Sequence, residues 1–409
     1  MLEQAVDRGE NSQTELTGGD SSHRWRPFAH LEADLVNLSA AGRRRALTSA
    51  EGLDFASNDY LGLANSSELR EAAIEAVCRR VPVGAGGSRL LRGNHPEHEA
   101  LEGAAAQFFC SESALYFGSG YAANLTLFAT APQRGDLVVY DEYIHASVHD
   151  GLRRSRADAA MAAHNSCESI DDGIVRWRAA GGMGRVWIAV ESIYSMEGDG
   201  PDLAELQALA TRREAILVID EAHATGVLGP QGRGRAAFLE GRDNVVTVHT
   251  CGKALGTAGA LVCGPRMLCE FLVNRGRAFI FSTAPSPLIA RVTRAALGLC
   301  EASDVRRGRL ASMVATASRA IERCCDLAGS GSHVIPVVIG EDGAAIALAV
   351  KLRARGYDVR AIRPPTVPAG TARLRIALTL NVDLAAIDGL FEALGVEMRA
   401  MGLPTVAAQ

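Results

Sequence analysis

The sequence contains almost no lysine. Of its 42 basic residues, only Lys253 and Lys351 are lysines, and the other 40 are arginines. Arginine keeps its charge in any protein environment, whereas lysine can be tuned into a neutral nucleophile. Any chemistry that needs a side-chain amine is therefore confined to two positions.

Several other features are missing. The net charge of −5 comes without a basic stripe, which argues against a nucleic-acid-binding protein. No apolar run approaches the ~18 residues that span a bilayer, and the polar, partly acidic residues 1–25 do not resemble a signal peptide. The nine cysteines are scattered and lack a CxxC spacing. We expect free thiols and a cytoplasmic protein.

From about residue 100, short apolar runs alternate with segments typical of helices, such as His98–Phe109 and Leu203–Arg213. This pattern predicts an α/β fold with a mostly parallel central sheet and helices on both faces, followed by a smaller C-terminal α+β domain. The predicted central strands are ALYF at 114–117, DLVVY at 136–140, RVWIAVES at 185–192, AILVID at 215–220, NVVTVHT at 244–250 and ALVCG at 260–264. The predicted C-terminal strands are HVIPVVIG, YDVRAIRPP and ARLRIAL.

The same pattern predicts three parts of the chain. Residues 1–55 form an N-terminal arm and helix, of which 1–25 are a mobile polar arm. Residues 56–290 form a large domain, and residues 291–409 form a small C-terminal domain. Ligands of mostly parallel sheets bind outside the carboxyl ends of the strands, so we expect the functional site there.

Two patterns have weak alternative interpretations. Residues 220–223 spell the helicase string DEAH, but the chain has no GxxxxGK[ST] loop, which an ATPase also requires. His95 and His98 have the spacing of a metal pair, but no cysteine or further histidine flanks them closely. We therefore predict neither an ATPase nor a metal site.

A small-residue turn predicts a phosphate site. Gly118–Ala123 satisfies the GxGxxA dinucleotide fingerprint, with Asp141 about 20 residues further on. Small residues let backbone amides at a helix N-terminus approach a phosphate, without specifying which phosphate. A nicotinamide cofactor, another phosphorylated cofactor and a purely structural turn all remain open on this motif alone.

Four polar side chains follow the predicted strands at the same sheet edge as this turn. Asp220 ends one strand, His223 follows it, and His145 and Lys253 lie in loops after two other strands. Taken alone, each has an ordinary structural interpretation as a helix cap, a core histidine or a surface lysine. Together they suit pyridoxal 5′-phosphate (PLP), which needs a lysine for its imine, a carboxylate for its pyridine nitrogen and a helix end for its phosphate.

The two lysines have different surroundings. Lys351 lies in a helical segment with Arg353 and Arg355 nearby, and we expect it to be solvated on a surface helix. Lys253 lies in a loop beside Gly252, where small residues allow close approach. The sequence therefore favours Lys253 as the reactive amine.

Over about residues 40–400, the chain resembles the α-oxoamine synthases. These are fold-type I PLP enzymes that condense an amino acid with an acyl thioester and release CO2. The segment 361–379 is most similar to the biotin-synthesis branch of the family. The motifs that carry the resemblance are SNDYLGL at 57–63, GAGGSR at 84–89, GSGYAAN at 118–124, HAS at 145–147, ESIYSMEGD at 191–199, DEAHATGVLGPQGRG at 220–234 and TCGKALG at 250–256.

The resemblance implies a role for each catalytic and cofactor-binding candidate. Lys253 is the imine lysine and the later proton-transfer group, and Asp220 pairs with the pyridinium nitrogen. His223 hydrogen-bonds the phenolic oxygen, and His145 stacks on the ring. The residues implied for the phosphate are Ser119, Gly120, Tyr121 and Thr250, with Ser282 and Thr283 reaching the phosphate of the other subunit.

The resemblance also implies the residues on the substrate side. Arg375 is expected to bind the amino-acid carboxylate, a bidentate task that suits guanidinium. The other residues assigned to this side are Asn58, Glu191, Ser195, Arg363 and, within an arginine cluster of loose register, Arg43.

The implied activity is the condensation of L-alanine with a pimeloyl thioester, carried by CoA or a carrier protein, in a homodimer with active sites at the interface. The stretch 90–98 departs from the usual biotin-branch pattern, which leaves the acyl chain open. One alternative is another family member that uses glycine, serine or a different acyl-CoA. A more distant one is an NAD-dependent oxidoreductase, which would leave Lys253 without a role. A third is a silent partner subunit, but such subunits are expected to lack this lysine.

Overall fold

The structure, a computed structural model, describes residues 26–403, and the predicted arm at 1–25 lies outside the described residues. The chain forms two compact units, one ending at Leu47 and the other beginning at Thr48. In the described part of the first unit, helix α1 spans Ala29–Ala40 and buries none of its residues. All further elements belong to the second unit.

The second unit contains all three β-sheets, the smallest of which is a parallel pair of two-residue strands, and all the remaining helices. Its strands are β1 (Leu53–Asp54), β2 (Ser113–Phe117), β3 (Leu137–Asp141), β4 (Asp158–Ala162), β5 (Val186–Glu191), β6 (Ala215–Asp220), β7 (Val245–Thr250), β8 (Ala260–Gly264), β9 (Val334–Gly340), β10 (Tyr357–Asp358), β11 (Arg360–Ile362) and β12 (Ala372–Ala377). Its helices are α2 (Ser67–Cys78), α3 (Pro96–Phe108), α4 (Gly120–Thr130), α5 (Ala146–Arg154), α6 (Cys167–Ala179), α7 (Leu203–Arg212), α8 (Arg266–Arg275), α9 (Arg277–Ile280), α10 (Pro287–Glu301), α11 (Asp304–Cys325), α12 (Asp342–Ala354) and α13 (Leu384–Ala400).

The central sheet has seven strands in the order β2-β8-β7-β6-β5-β3-β4. Strand β8 runs antiparallel to both of its neighbours, and the other pairs are parallel. The prediction of a mostly parallel α/β sheet is confirmed, and all six predicted runs form strands. Edge strand β4, with sequence DAAMA, was not predicted, because it is largely exposed and carries no continuous apolar run.

Helices cover both faces of this sheet. Side chains alternate between the faces of a strand, so Trp187 packs into a cluster with residues of α4, α5 and α8. Its neighbour Ile188 packs on the other side with residues of α6 and α7. Because both faces are covered, the edge where the strands end is the open part of the sheet.

The C-terminal part contains a second, antiparallel sheet in the order β11-β12-β9. The three predicted C-terminal runs form β9 to β12, with YDVRAIRPP split between β10 and β11. The boundaries predicted at residues 55 and 290 stay a prediction. Within residues 26–403, no helix is both long and apolar enough to cross a membrane.

Candidate active site

The carboxyl ends of three neighbouring strands form one side of a cavity. Glu191, Asp220 and Thr250 are the last residues of β5, β6 and β7. The cavity has a volume of about 390 Å³, within the usual range for a small-molecule site. Its lining residues include Asn58, Gly118, Ser119, Gly120, Tyr121, Asn124, His145, Glu191, Asp220, Ala222, His223, Thr250 and Lys253.

The carboxylate of Asp220 is held by donors on both of its oxygens. Oδ2 accepts a hydrogen bond from Asn124 Nδ2 at 2.7 Å, and Oδ1 accepts one from the backbone amide of Ala222 at 2.9 Å. Asn124 lies within helix α4 and also donates to Ser147 Oγ at 3.1 Å. Asn124 was not predicted as a site residue, although an amide side chain within an otherwise apolar helix is a usable signal.

Lys253 lies in the loop after β7, with its amine directed at His223. The distance from Lys253 Nζ to His223 Nε2 is 2.7 Å. Burial lowers the pKa of Lys253 to about 8, while the carboxylates of Asp220 and Glu191 oppose this shift. A lysine with this pKa exchanges its proton near neutral pH.

His223 links Lys253 to a residue that sequence analysis missed. His223 Nδ1 lies 2.6 Å from the hydroxyl of Tyr60, which is fully buried. Burial holds the pKa of His223 well below its ordinary value, and the charges of Lys253 and Arg375 act in the same direction. The imidazole is therefore neutral at physiological pH.

The segment predicted to bind phosphate forms the N-terminus of α4, at the cavity, and its binding of phosphate stays a prediction. Ser119 caps this helix by accepting a hydrogen bond from the Ala122 amide at 3.1 Å. A Cβ atom at Gly120 would lie 2.6 Å from Thr250 Cγ2, so any larger residue would displace the Thr250 side chain from the start of the helix. Free amides at a helix start bind phosphate oxygens well.

His145 and Glu191 face the same cavity. His145 caps helix α5, and its Nδ1 lies 2.7 Å from Ser147 Oγ. Burial lowers the pKa of His145. Burial raises the pKa of Glu191 well above its ordinary value, and the charge of Asp220 acts in the same direction. The buried Oε1 of Glu191 has no hydrogen-bond partner within residues 26–403. An orphaned carboxyl oxygen at a cavity wall indicates that a ligand completes the site.

Two arginines of β12 lie two residues apart on the same face of the strand and differ in their partners. Arg373 is paired with the carboxylate of Glu197 at 2.8 Å. Arg375 instead donates to neutral oxygens, Asn58 Oδ1 at 2.9 Å and the Ser195 carbonyl at 2.6 Å. Of these two arginines, Arg375 is therefore the one whose charge is not neutralised by a carboxylate among the described residues and can bind an anionic ligand.

Residues 50–394 match the family model of aminotransferase class I and II. The chain belongs to this family. It is 42% identical to an 8-amino-7-oxononanoate synthase of Anaeromyxobacter dehalogenans (strain 2CP-1), covering 89% of this chain and 94% of the relative. The corresponding enzyme of Chromobacterium violaceum is 40% identical, with coverage of 91% and 94%.

Solved structures agree with this membership of the aminotransferase class I and II family. A PLP-bound serine palmitoyltransferase from S. paucimobilis matches with a TM-score of 0.82 and 25% identity, covering 92% of this chain and 98% of that one. An 8-amino-7-oxononanoate synthase from Francisella tularensis matches with a TM-score of 0.73 and 27% identity, covering 86% and 99%. The predicted α-oxoamine synthase resemblance, fold-type I fold and PLP dependence are confirmed.

In this family context, the residues of the cavity fit PLP. Asp220 would hold the ring nitrogen, the start of α4 the phosphate, and Lys253 is the amine that the cavity contains. The particular roles assigned to Asp220, His223, His145 and Thr250 stay predictions, but all four line the cavity.

Five predicted site residues of the second unit are not among those that line this cavity, namely Ser195, Ser282, Thr283, Arg363 and Arg375. Ser282 and Thr283 are exposed in the segment after α9, and Arg363 follows β11. Arg43 belongs to the separate unit that ends at Leu47. Ser282 and Thr283 were predicted to act on the other subunit, and the roles of all six residues stay predictions.

The residues behind the alternative interpretations have structural partners. Asp141, the distal acid of the dinucleotide fingerprint, binds His164 Nδ1 at 2.9 Å and two backbone amides. His95 caps helix α3, and His98 Nε2 binds the Pro285 carbonyl at 2.8 Å. Lys351 lies on α12, half exposed and 2.8 Å from Glu397, so its predicted place on a surface helix is confirmed.

Proposed function

We propose that this enzyme condenses L-alanine with a pimeloyl thioester to give 8-amino-7-oxononanoate, CO2 and a free thiol, a step of biotin biosynthesis. The observation that carries the proposal is a buried amine, Lys253 Nζ, in one cavity with Asp220 and the start of α4. The relatives named 8-amino-7-oxononanoate synthase, about 40% identical over about nine-tenths of the chain, support the choice of substrates.

Different side chains of the cavity would contribute to different parts of the reaction. When bound, PLP supplies the electron sink that stabilises negative charge at the α-carbon of the amino acid. Asp220, oriented by Asn124 and a backbone amide, would keep the ring nitrogen protonated. The cavity wall formed by His145 and Glu191 would exclude water from the reacting carbon.

Lys253 and Arg375 would handle the proton and the carboxylate. With a pKa of about 8, Lys253 can accept the α-proton of the amino acid and later return a proton to the product. Arg375 would bind the substrate carboxylate, because it is the β12 arginine that lacks an acidic partner among the described residues. Its contact with Asn58 keeps the guanidinium pointing in one direction.

A second candidate uses the same chemistry on different substrates. Serine palmitoyltransferases are structural neighbours with TM-scores up to 0.82, so serine or glycine with another acyl-CoA is the main alternative. The higher identity to the 8-amino-7-oxononanoate synthases favours alanine and a pimeloyl thioester. Thiol release measured with alanine, glycine and serine, each with pimeloyl- and palmitoyl-CoA, separates the two.

We also infer a homodimer. Residues 82–91 are joined to residues 281–288 by the bond from the Ala284 amide to the Gly87 carbonyl at 2.9 Å. Leu91 and Phe281 on these segments are 80% and 72% exposed, an apolar surface that a second copy would cover. The predicted phosphate contacts of Ser282 and Thr283 would then reach the partner's site. Light scattering of the wild type and of Leu91→Asp tests this inference.

A cytoplasmic location fits the cysteine chemistry. All nine cysteines lie within the described residues and are free thiols. Free thiols persist in reducing compartments, whereas secreted proteins usually pair them. We propose the cytoplasm on this ground, and fractionation of the native host tests it.

An absorbance spectrum of the purified enzyme is the primary test of the function. The PLP-loaded protein should show a visible band, and borohydride should fix the cofactor on the peptide that contains Lys253. Lys253→Ala should lose the band and the activity, whereas the matched Lys351→Ala variant should keep both. A protein that stays colourless with added PLP, or that fails to release thiol from alanine plus pimeloyl-CoA, would contradict the proposal.

A further inference from the structure

A chain of short hydrogen bonds connects the reactive lysine with the carboxylate-binding arginine. Lys253 Nζ lies 2.7 Å from His223 Nε2, and His223 Nδ1 lies 2.6 Å from the Tyr60 hydroxyl. The Tyr60 hydroxyl lies 3.0 Å from Asn58 Oδ1, which also accepts a hydrogen bond from Arg375 Nη2 at 2.9 Å. Five side chains from distant parts of the sequence therefore form one network.

The chemistry of the groups fixes the direction of each bond when Lys253 is protonated. An ammonium group only donates, so His223 Nε2 must accept from it. A neutral imidazole then carries its proton on Nδ1 and donates to the Tyr60 oxygen. The Tyr60 hydroxyl donates in turn to Asn58 Oδ1, which is an amide acceptor.

We propose that Tyr60 is a positioning residue, whose hydroxyl fixes which nitrogen of His223 carries the proton and thereby keeps an acceptor facing the Lys253 ammonium. Without this hydroxyl, the His223 Nδ1 proton would face a phenyl ring in a fully buried position, which is costly. The other tautomer would place an N–H donor against the ammonium. Either way the charged form of Lys253 loses support. The inference rests on the proposed function only in treating Lys253 as the reactive amine.

The surroundings of Tyr60 suit this role. Its side chain is fully buried, and burial raises its pKa to about 12, so the hydroxyl keeps its proton. His333 packs edge-on against the Tyr60 ring, with ring centroids 4.3 Å apart. Burial lowers the pKa of His333 to about 4, so this neighbour is neutral and adds no competing charge.

A second donor supports this orientation of the Tyr60 hydroxyl. Arg375 Nη2 lies 3.5 Å from the Tyr60 oxygen and also donates to Asn58 Oδ1, which fixes that amide oxygen as an acceptor. The Tyr60 proton is therefore directed at Asn58 Oδ1, and the Tyr60 oxygen is left to accept from His223 Nδ1.

Other charged groups also act on Lys253, and a test must hold them constant. The carboxylates of Asp220 and Glu191 raise its pKa, while burial and the charge of Arg375 lower it. The three neighbouring histidines, each with a lowered pKa, are His145, His223 and His333. Tyr60→Phe removes one oxygen and changes none of these groups.

The test measures the proton affinity of Lys253 in the cofactor-free protein. Wild type, Tyr60→Phe and Tyr116→Phe are labelled with a small amine-reactive reagent across pH, and mass spectrometry of the peptides quantifies Lys253 and Lys351 separately. Tyr116 is the matched control, because it is a buried tyrosine whose hydroxyl donates to the Ala258 carbonyl at 2.7 Å. Lys351 is the internal reference in every sample.

In Tyr60→Phe, we expect the pKa of Lys253 to fall by about one unit, which speeds its labelling at pH 7 about fivefold. Tyr116→Phe and the Lys351 signal should be unchanged. Nitrogen-15 NMR of His223 should show a proton on Nδ1 in the wild type and lose that pattern in Tyr60→Phe. An unchanged Lys253 profile in a folded Tyr60→Phe protein would overturn the proposal. It would leave the proposed function intact, which fails instead if PLP gives no visible band.

Discussion

The two arginines of β12 offer a matched pair of variants with different expected defects. Arg373→Met removes the partner of Glu197, and the two side chains are only 8% and 16% exposed. It also removes the bond from Arg373 to the Met196 carbonyl at 3.1 Å. Arg375→Met removes bonds to three neutral oxygens and leaves no charged side chain without its partner. We therefore expect a stability defect from the first and a substrate-binding defect from the second.

The structure sets the size of each effect. Removing one member of a buried ion pair costs about 3 kcal/mol or more, because the remaining charge is left unpaired. Burial raises the pKa of Glu197, and the charge of Arg373 opposes this rise. The pKa of Glu197 should therefore rise further in Arg373→Met. The protonated carboxyl needs no cation, and the stability deficit of Arg373→Met should shrink as the pH falls. A lost charge-assisted contact in Arg375→Met should lower kcat/KM for the amino acid about 100-fold.

Denaturant unfolding of the cofactor-free proteins at two pH values, and initial rates against amino-acid concentration, separate the two defects. Arg373→Met should keep kcat/KM within about threefold of the wild type once folded. The double variant Arg373→Met/Glu197→Leu should recover part of the lost stability, since it leaves no unpaired charge. The reasoning is refuted if the double variant is no more stable than Arg373→Met, or if both single variants weaken amino-acid binding equally.

Two further predictions concern cofactor capture. Gly120→Ala should weaken PLP binding about tenfold, because the added methyl group pushes Thr250 away from the start of α4. Gly103→Ala is the control and should bind PLP normally, because a Cβ at Gly103 meets open space. A fluorescence titration with PLP compares the two variants. The rate at which cofactor-free protein captures PLP should rise with pH, reach half its maximum near pH 8 and level off above that pH, because only the neutral Lys253 amine attacks. Stopped-flow absorbance measures this rate, and a pH-independent rate would contradict the prediction.

The parts of the fold that follow from local sequence were predictable. The six central strands carry continuous apolar runs because both sheet faces are covered, and Asp220 was placed at the sheet edge because it ends one of these runs. The edge strand β4 was missed because an exposed strand needs no apolar run. The small-residue turn begins α4 at the cavity, as expected from its composition, and its binding of phosphate stays a prediction.

The partners within the site were less predictable. Tyr60 lies 163 residues from His223 in the sequence, and nothing local to Tyr60 distinguishes a network member from a core aromatic residue. Arg373 and Arg375 look alike in the sequence, and only the position of Glu197 in the folded chain separates them. Contacts of this kind depend on how the central sheet and the C-terminal sheet pack in the folded chain. The spacing of apolar residues along the sequence does not encode that arrangement.

The different surroundings of the two lysines explain why only one of them is suited to be the reactive amine. Lys351 shares the carboxylate of Glu397 with Arg355 on a half-exposed surface, where ion pairs contribute little and the amine stays solvated. Lys253 is desolvated, which lowers its pKa to about 8 and leaves about one molecule in ten with a neutral amine at pH 7. Asp220 and Glu191 prevent a larger shift. Burial makes this amine available as a nucleophile, and the carboxylates keep it able to take back a proton, so one lysine can serve both needs near neutral pH.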